Sequence, residues 1–381
     1  LSSLCWKLME RGGTQGIQFL VSLILARILS PEEYGIIAIV MVFIALANVF
    51  VESGFNTALI QKKEVDNVDF SSVLYLSLGV ATILYIIIFF TAPFIASFYD
   101  QPILAQVLRV VAITLFIGAF NSIQTAFIAR HMLFKKLFAS SLGAVSISGF
   151  VGIIAAYSGL GVWALVLQQL ISQLAVSVIL WFTVKWRPHL IFSYAKVKTL
   201  FSYGSKLLAS GLLDTLYRSL RTLIIGRMYT PAMLGFYNRG EQFPQLIVSN
   251  INGSIQSVML PALSAHQDDR KRIKEMMRRA IVSSSFLIFP MMIGMAVVAE
   301  PLVEIVLTDK WLPAVPFLQI ACFTFALWPI HTANLQAINA MGRSDIFLKL
   351  EVIKKVIGLT ILLISLPFGV YVIALSSILT G

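Results

Sequence analysis

Long stretches without a charged residue constrain this chain more than any other feature. Residues 70–99, 110–129, 280–299 and 356–381 contain no Asp, Glu, Lys or Arg, and the same holds for all 48 residues of 137–184. A helix needs about 20 residues to cross the hydrocarbon of a bilayer. One helix over 137–184 would be about 72 Å long at about 1.5 Å per residue. This run therefore predicts two crossings joined at Gly159-Leu160-Gly161.

The composition places the excess apolar surface in lipid. Apolar residues make up 58% of the 381 residues and charged residues only 12%, against about 25% charged in soluble domains. A single soluble core stops growing near about 250–300 residues, so it could not bury this surface. A soluble enzyme, a secreted disulfide scaffold and a disordered chain are excluded. The net charge of +11 is typical of membrane proteins with basic cytoplasmic loops, and we expect no nucleic-acid partner.

The pattern predicts an all-α polytopic membrane protein. Twelve helices are expected, at about 3–29, 33–58, 70–97, 103–128, 138–158, 161–184, 202–229, 232–262, 270–299, 313–340, 346–366 and from 369 onward. Their loops predict the orientation, because Lys and Arg concentrate on one side. The opposite side holds only Lys310 among basic residues. The positive-inside rule then predicts a cytoplasmic N-terminus.

An internal repeat divides these helices into two sets of six. LILARILSPEEYG at 23–35 is followed by LIIGRMYTPAMLG at 223–235, and GVW at 161–163 by GVY at 369–371. Six crossings per half give parallel repeats, an arrangement found in secondary transporters. We predict lobes at 1–186 and 202–381, joined by a basic, aromatic interfacial amphipathic helix at 187–201. The last helix is expected to be incomplete, which predicts a truncated C-terminal end.

The motif R-x-x-[ST]-P-x-x-x-G occurs once in each half. Ser30 or Thr230 is expected to cap the second helix, with Pro31 or Pro231 at its first position. Its arginines, Arg27 and Arg227, have two open interpretations: they extend to the lipid headgroups, or they contact a substrate.

Charged residues inside predicted helices form two polar stripes. On helix 1 Lys7, Glu10 and Arg11 lie within about 100° of one another, and on helix 7 Asp214, Arg218 and Arg221 recur every three or four residues. The repeat relates these two faces, so we expect both to line a water-filled cleft between the halves. A cationic cleft favours an anionic substrate, because Arg binds phosphate in a bidentate manner. The candidate substrate-binding residues are Arg218, Arg221, Arg239, Arg11, Lys206, Lys7 and Arg109.

Four carboxylates are candidates for ion coupling: Glu10, Asp214, Glu52 and Glu241. They would bind H⁺ or Na⁺, and no other cofactor or metal is expected. The structural alternatives stay open. Asp214 and Arg218 are four residues apart and could neutralise each other, and Glu10 and Arg11 could lie near headgroups. No HExxH, Walker A or GxSxG motif occurs, and the outer loops are short, so an enzyme is not expected.

Several segments resemble bacterial polysaccharide flippases of the Wzx type, including the branch for colanic acid and related exopolysaccharides. The similar segments are ERGGTQGIQFLVSLILARILSPEEYG at 10–35, FVESGFNTALIQKKEVDNVDFSSV at 50–73, LGFYNRGEQFPQLIVSNINGSIQSVMLPALS at 234–264, KWLPAVPFLQI at 310–320 and HTANLQAINAMGRSDIFLKLE at 331–351.

The resemblance implies the MOP superfamily, with two six-helix lobes around a V-shaped cleft that opens alternately to each side. It implies transport of an undecaprenyl-diphosphate-linked oligosaccharide across the bacterial inner membrane for exopolysaccharide or O-antigen biosynthesis. A polysaccharide polymerase and chain-length machinery are implied partners. Two alternatives remain: a MATE-like ion-coupled exporter of small molecules, which predicts an acidic cleft, and a non-transporting scaffold for polysaccharide assembly.

Overall fold

The computed structural model describes residues 2–52, 59, 65–264, 269–341 and 343–380. Within these ranges the side chains of some helical residues are not described; they are those of 2–11, 199–203, 206, 254, 257, 258, 260, 261, 264, 270, 344 and 380. The described chain is helical, with short turns and an irregular segment at 184–193. The chain divides into two compact units, Leu1–Ala232 and Met233–Gly381.

The first unit contains eight of the described helices. They are α1 (Ser2–Ile28), α2 (Pro31–Glu52), α3 (Asn67–Phe98), α4 (Ile103–Val111), α5 (Thr114–Arg130), α6 (Phe134–Tyr157), α7 (Val162–Thr183) and α8 (Tyr194–Met228). Helix α6 packs against α1 and α7, while α8 packs against α2 and α3. Two apolar clusters hold the unit together. One surrounds Phe70 and Trp186, and the other surrounds Leu25 and Leu29.

The second unit begins two residues into α9 (Pro231–Ser264). It continues through α10 (Arg270–Val297), α11 (Ala299–Leu307), a 3₁₀ turn (Asp309–Ala314), α12 (Val315–Ala326), α13 (Trp328–Ala340), α14 (Ser344–Ser365), a second 3₁₀ turn (Leu366–Phe368) and α15 (Val370–Thr380). Its apolar cluster joins α9, α10 and α13 around Leu263 and Ile273.

The structure confirms the all-helical membrane class. Among the described residues, seven helical segments are long and apolar enough to cross a bilayer: Pro31–Glu52, Asn67–Phe98, Ile103–Arg130, Phe134–Tyr157, Val162–Thr183, Lys271–Val297 and Asp309–Ala340. The other predicted crossings coincide with α1, α8, α9, α14 and α15, which are either more polar or shorter. Their passage through the membrane stays a prediction, as does the truncation of the last helix.

The amphipathic helix expected over 187–201 is wrong in its first half. Residues 184–193 are not helical, and 194–201 already belong to α8. Pro188 explains the break, because the residue before a proline is disfavoured in the helical region. Two side chains of α3 hold this non-helical segment: the N–H of His189 donates to Ser71 Oγ and that of Ser193 to Ser72 Oγ, each at 3.0 Å. The predicted lobe boundaries stay a prediction.

The repeated motif begins helices as expected. Helices α2 and α9 start at Pro31 and Pro231. Before α2, the backbone N–H of Ser30 donates to Glu33 Oε2 at 2.6 Å, and Ser30 Oγ accepts from the Glu33 N–H at 3.4 Å. These two contacts form a capping box, which satisfies backbone donors that the helix leaves unpaired.

The glycine of the first motif copy, Gly35, lies at a close contact between two helices. A Cβ built on Gly35 would lie 1.8 Å from the carbonyl oxygen of Pro231. No side chain fits at that distance, so α2 and the start of α9 approach as closely as they do only because residue 35 is glycine. The first copy of the motif therefore contacts the second copy through Gly35 and Pro231.

Corresponding turns of the two predicted halves share an unusual backbone. Gly161 and Gly369 precede α7 and α15 with φ of 56° and 100°, and Asp100 and Thr308 have φ of 54° and 89°. Both pairs are separated by 208 residues. Positive φ is uncommon outside glycine, so its recurrence at matched positions supports the predicted repeat.

Candidate functional site

Helix α8 carries the strongest candidate site. Asp214, Arg218 and Arg221 lie on one face of this unbroken helix, as their spacing predicts. The Arg218 Nε–H donates to Asp214 Oδ2 at 2.8 Å, with 74% of the arginine side chain and 42% of the aspartate side chain exposed. An exposed ion pair of this kind contributes only about 0.2–1 kcal/mol. Arg218 can therefore exchange Asp214 for an external anion at small cost.

Four predicted site residues have side chains outside the described residues. They are Lys7, Glu10 and Arg11 of α1 and Lys206 of α8. Their place in the proposed cationic site stays a prediction.

Arg239 is held inside the second unit. Only 4% of the residue is exposed. Its guanidinium donates to Gln242 Oε1 and lies with its central carbon 5.4 Å from the ring centroid of Trp311. This environment stabilises α9 against the 3₁₀ turn at 309–314. Two residues on, Glu241 accepts a hydrogen bond from the Tyr237 hydroxyl at 2.5 Å. The substrate and coupling roles of these two residues stay predictions.

Arg109 packs against the preceding helix. Its Nε–H donates to the carbonyl oxygen of Phe89 at 3.0 Å, and its guanidinium carbon lies 4.3 Å from the centroid of the Phe89 ring. These contacts join α4 to α3 and give Arg109 a structural role. Its substrate role stays a prediction.

Glu52 lies at a cavity of about 260 Å³ between α2, α5 and α7. The rest of the wall contains Gly118, Asn121, Ser122, Thr125, Ala126, Ala129 and Gln173. We call this cavity the polar chamber. Of the predicted site residues, Glu52 alone contributes to its described wall.

Sequence reasoning missed two polar pairings. In the second unit, Lys354 Nζ of α14 lies 3.3 Å from His331 Nε2 of α13. Neither residue was singled out as a site residue from the sequence, although a lysine in the middle of the apolar helix α14 was a signal. In the first unit, Gln173 and Ser177 of α7 bind Asn121 of α5. Nothing in the spacing of polar residues along one helix indicates a partner on another.

The described helices define a class: a multi-pass membrane protein with a transporter fold. The fold matches that of lipid II flippase MurJ in an inward closed conformation, with a TM-score of 0.77 and 14% identity, over 99% of this chain and 85% of that one. It also matches an inward-facing multidrug resistance MATE family transporter of the MOP superfamily, with a TM-score of 0.70 and 17% identity, over 96% and 92% of the two chains. The expected likeness in fold to MOP-superfamily transporters is confirmed, while the arrangement as two repeated lobes stays a prediction.

The chain belongs to the family described as polysaccharide biosynthesis protein, whose model matches residues 24–316. It is 26% identical over 308 residues to teichuronic acid biosynthesis protein TuaB of Bacillus subtilis, covering 79% of this chain and 62% of that protein. It is 25% identical over 346 residues to lipopolysaccharide biosynthesis protein WzxC of Escherichia coli, covering 89% and 69%.

Succinoglycan biosynthesis transport protein ExoT of Rhizobium meliloti is 22% identical over 90% of this chain and 69% of its own length. The predicted resemblance to Wzx-type proteins is thereby confirmed. The chain spans about two thirds of the length of these curated relatives. Among these comparisons, ExoT is named a transport protein, and the solved structures that share the fold are a flippase and a transporter.

Proposed function

We propose that this protein flips an undecaprenyl-diphosphate-linked oligosaccharide across the bacterial inner membrane by alternating access. The product would feed exopolysaccharide or O-antigen biosynthesis, with a polymerase and chain-length machinery as downstream partners. The N-terminus would be cytoplasmic, because the basic loops lie on that side in the predicted topology. Membership of a polysaccharide biosynthesis family supports the pathway, and the likeness to the fold of a lipid II flippase supports the mode of transport.

The arginine stripe of α8 carries the proposal. Arg218 and Arg221 lie on one face of α8. The Arg218 side chain is exposed and pairs with the exposed Asp214 carboxylate, whereas Arg221 is half-buried. Guanidinium binds phosphate oxygens in a bidentate manner, so a diphosphate could replace Asp214 at Arg218 and contact Arg221 one turn on. The lipid tail would stay in the bilayer while the charged headgroup follows this stripe.

The test uses a host that makes the oligosaccharide but lacks this protein. The measurement is the leaflet on which the lipid-linked oligosaccharide accumulates, with and without the full-length protein. We expect accumulation on the cytoplasmic leaflet, relieved by the wild type. The double variant Arg218→Ala/Arg221→Ala should insert normally but give no relief. The control Arg278→Ala/Arg279→Ala removes the same charge from exposed positions of α10 and should relieve accumulation as the wild type does.

Two rival functions give different results. A MATE-like small-molecule exporter predicts that the oligosaccharide reaches the periplasmic leaflet without this protein. A non-transporting scaffold predicts that the α8 double variant behaves like the wild type. Either result would overturn the flippase proposal. The positive charge of the α8 stripe disfavours an exporter of cations, because like charges repel.

A further inference from the structure

Polar, uncharged side chains form one long face on α9, in the second unit. At about 100° per residue along an α-helix, six side chains fall within about 80° of one another. They are Asn238, Gln242, Gln245, Ser249, Asn252 and Gln256. We call these six residues the amide face. It spans about 27 Å at about 1.5 Å per residue, which is close to the hydrocarbon thickness of a bilayer.

The amide face is open to its surroundings. Gln245 and Gln256 are exposed, and Asn238, Gln242 and Ser249 are half-buried. The acyl chains of lipids offer no hydrogen bonds, so an amide exposed to them would remain unsatisfied. The amide face therefore borders water or a polar ligand along α9.

Two buried amide atoms on this face have no partner within the described part of the chain. Asn252 is only 4% exposed, and its Oδ1 accepts no hydrogen bond there. The buried Nδ2 of Asn238 donates none. Buried polar atoms are normally satisfied. One unmet acceptor and one unmet donor on the same face therefore indicate a ligand that can both donate and accept.

The chemistry of the amide face favours a ligand with hydroxyl groups. A cation could satisfy only the Asn252 acceptor and an anion only the Asn238 donor, whereas a hydroxyl group both donates and accepts. Arg239 donates to Gln242 Oε1, which leaves the amide nitrogen of Gln242 as a donor. Sugars carry several hydroxyl groups on each ring, so an oligosaccharide could meet donors and acceptors along the length of α9.

We propose that the amide face binds the hydroxyl groups of neutral sugars in the transported oligosaccharide. This proposal rests on the proposed flippase function, because that function supplies the oligosaccharide. The carboxylate beside the face belongs to Glu241 and already accepts a hydrogen bond from the Tyr237 hydroxyl at 2.5 Å. The six side chains of the face are uncharged, so the substrate class is an oligosaccharide rich in neutral, hydroxyl-bearing sugars.

The first test measures binding of a soluble sugar to the purified full-length protein. The probe is the oligosaccharide that mild acid releases from the radiolabelled lipid-linked pool of the host described above, so it carries neither lipid nor diphosphate. Equilibrium dialysis compares the wild type with Gln245→Leu/Gln256→Leu. The control is Asn334→Leu/Asn339→Leu, which removes two exposed amides of α13. We expect the α9 double variant to raise the dissociation constant about tenfold and the α13 control to leave it unchanged.

Three results of this test would overturn the proposal. They are no saturable binding by the wild type, equal affinity of the wild type and the α9 double variant, and equal losses of affinity in the two double variants. Salt adds a further criterion, because bonds between neutral groups should survive about 1 M NaCl, where the Debye length is about 3 Å. Binding that disappears in such salt would assign the sugars to charged side chains and contradict the proposal.

Asn252→Leu separates a ligand contact from a structural role. The substitution roughly keeps the size of the side chain and removes a buried acceptor that has no donor among the described residues. We expect an unchanged or raised melting temperature together with an affinity for the oligosaccharide that is about fivefold lower. The control Asn250→Leu alters an amide that lies off the face and donates to the Leu246 carbonyl at 2.8 Å, and it should leave the affinity unchanged. A lowered melting temperature with unchanged affinity in Asn252→Leu would contradict the place of Asn252 in the site.

The export assay separates this site from the flippase proposal. Gln245→Leu/Gln256→Leu should bind the oligosaccharide weakly and fail to relieve its accumulation, whereas the α13 control should relieve it. Weak binding with normal relief would overturn the role of the amide face in transport. If the wild type itself gives no relief, the flippase proposal fails, and the dialysis experiment still decides whether α9 binds sugars.

Discussion

The Arg227 guanidinium lies 3.2 Å from the Asp100 carboxylate, so the end of α8 is tied to the turn between α3 and α4. Two contacts accompany this pair. The Arg227 guanidinium carbon lies 5.0 Å from the centroid of the Phe98 ring, and the Tyr99 hydroxyl donates to the Leu223 carbonyl at 3.5 Å. The sequence leaves two interpretations of Arg227 open: contact with lipid headgroups and contact with a substrate. The structure instead pairs Arg227 with a carboxylate of its own unit, that of Asp100.

This pair should contribute little to stability by itself. Both side chains are about half or more exposed, and such pairs contribute about 0.2–1 kcal/mol. A double-mutant cycle with Asp100→Asn, Arg227→Gln and their combination should give a coupling free energy of unfolding below about 1 kcal/mol. Thermal unfolding in detergent measures it. A coupling above about 2 kcal/mol would mean that the pair is desolvated when the protein is in detergent.

Gly35→Ala should destabilise the protein, although alanine is normally preferred to glycine in a helix by about 1 kcal/mol. The added Cβ would lie 1.8 Å from the Pro231 carbonyl oxygen, so α2 and α9 would have to separate. We expect a loss of about 1–3 kcal/mol, as for overpacked cores. The matched control is Gly79→Ala in α3, whose Cβ meets nothing within 4 Å and which should be neutral or stabilising. Equal shifts in melting temperature for both variants would contradict the close approach.

The contact between Asp66 and Lys196 should be sensitive to acid. Asp66 caps α3, and the Lys196 ammonium together with the Asp69 backbone N–H lowers the pKa of the Asp66 carboxyl from 3.8 to about 2. A lowered folded-state pKa adds stability above the unfolded pKa and loses it as the pH falls toward the folded value. The stability difference between wild type and Lys196→Ala should therefore be constant above pH 5 and shrink from about pH 4 to pH 2.

Melting temperatures measured across this pH range provide the check. Lys198→Ala is the matched control, because Lys198 is exposed two residues along the same helix and should show no such pH dependence. A difference between wild type and Lys196→Ala that persists unchanged to pH 2 would contradict the role of the ion pair.

Asp214→Asn should retain export, whereas Arg218→Ala should not. In the structure Asp214 neutralises Arg218 through an exposed ion pair, and removing its charge leaves the arginine free to bind an anion. Because such a pair contributes about 0.2–1 kcal/mol, we expect export rates within about fivefold of the wild type. Complete loss of export in Asp214→Asn would instead support the alternative that Asp214 binds the coupling ion.

Much of the fold follows from local pattern. The uncharged runs predicted helices that the structure places within a few residues of the expected bounds, such as α6 and α7 around the turn at Gly159 and Gly161. Pro31 and Pro231 predicted the starts of α2 and α9, because capping and proline geometry act within one turn of the chain. For residues 187–193 the local pattern predicted a helix wrongly. Their conformation depends on hydrogen bonds to Ser71 and Ser72, more than a hundred residues away in the sequence.

The sequence by itself determined that this is a helical membrane protein of the polysaccharide biosynthesis family, with an arginine-rich stripe on the helix at 194–228. Helical period, helix length and apolar content are properties of consecutive residues, so they can be read without coordinates. Only the tertiary structure decided which charges are engaged. It pairs Arg227 with Asp100, covers Arg239 with Trp311 and places Glu52 at a chamber lined by α5 and α7. Those partners come from distant parts of the chain, and packing alone brings them together.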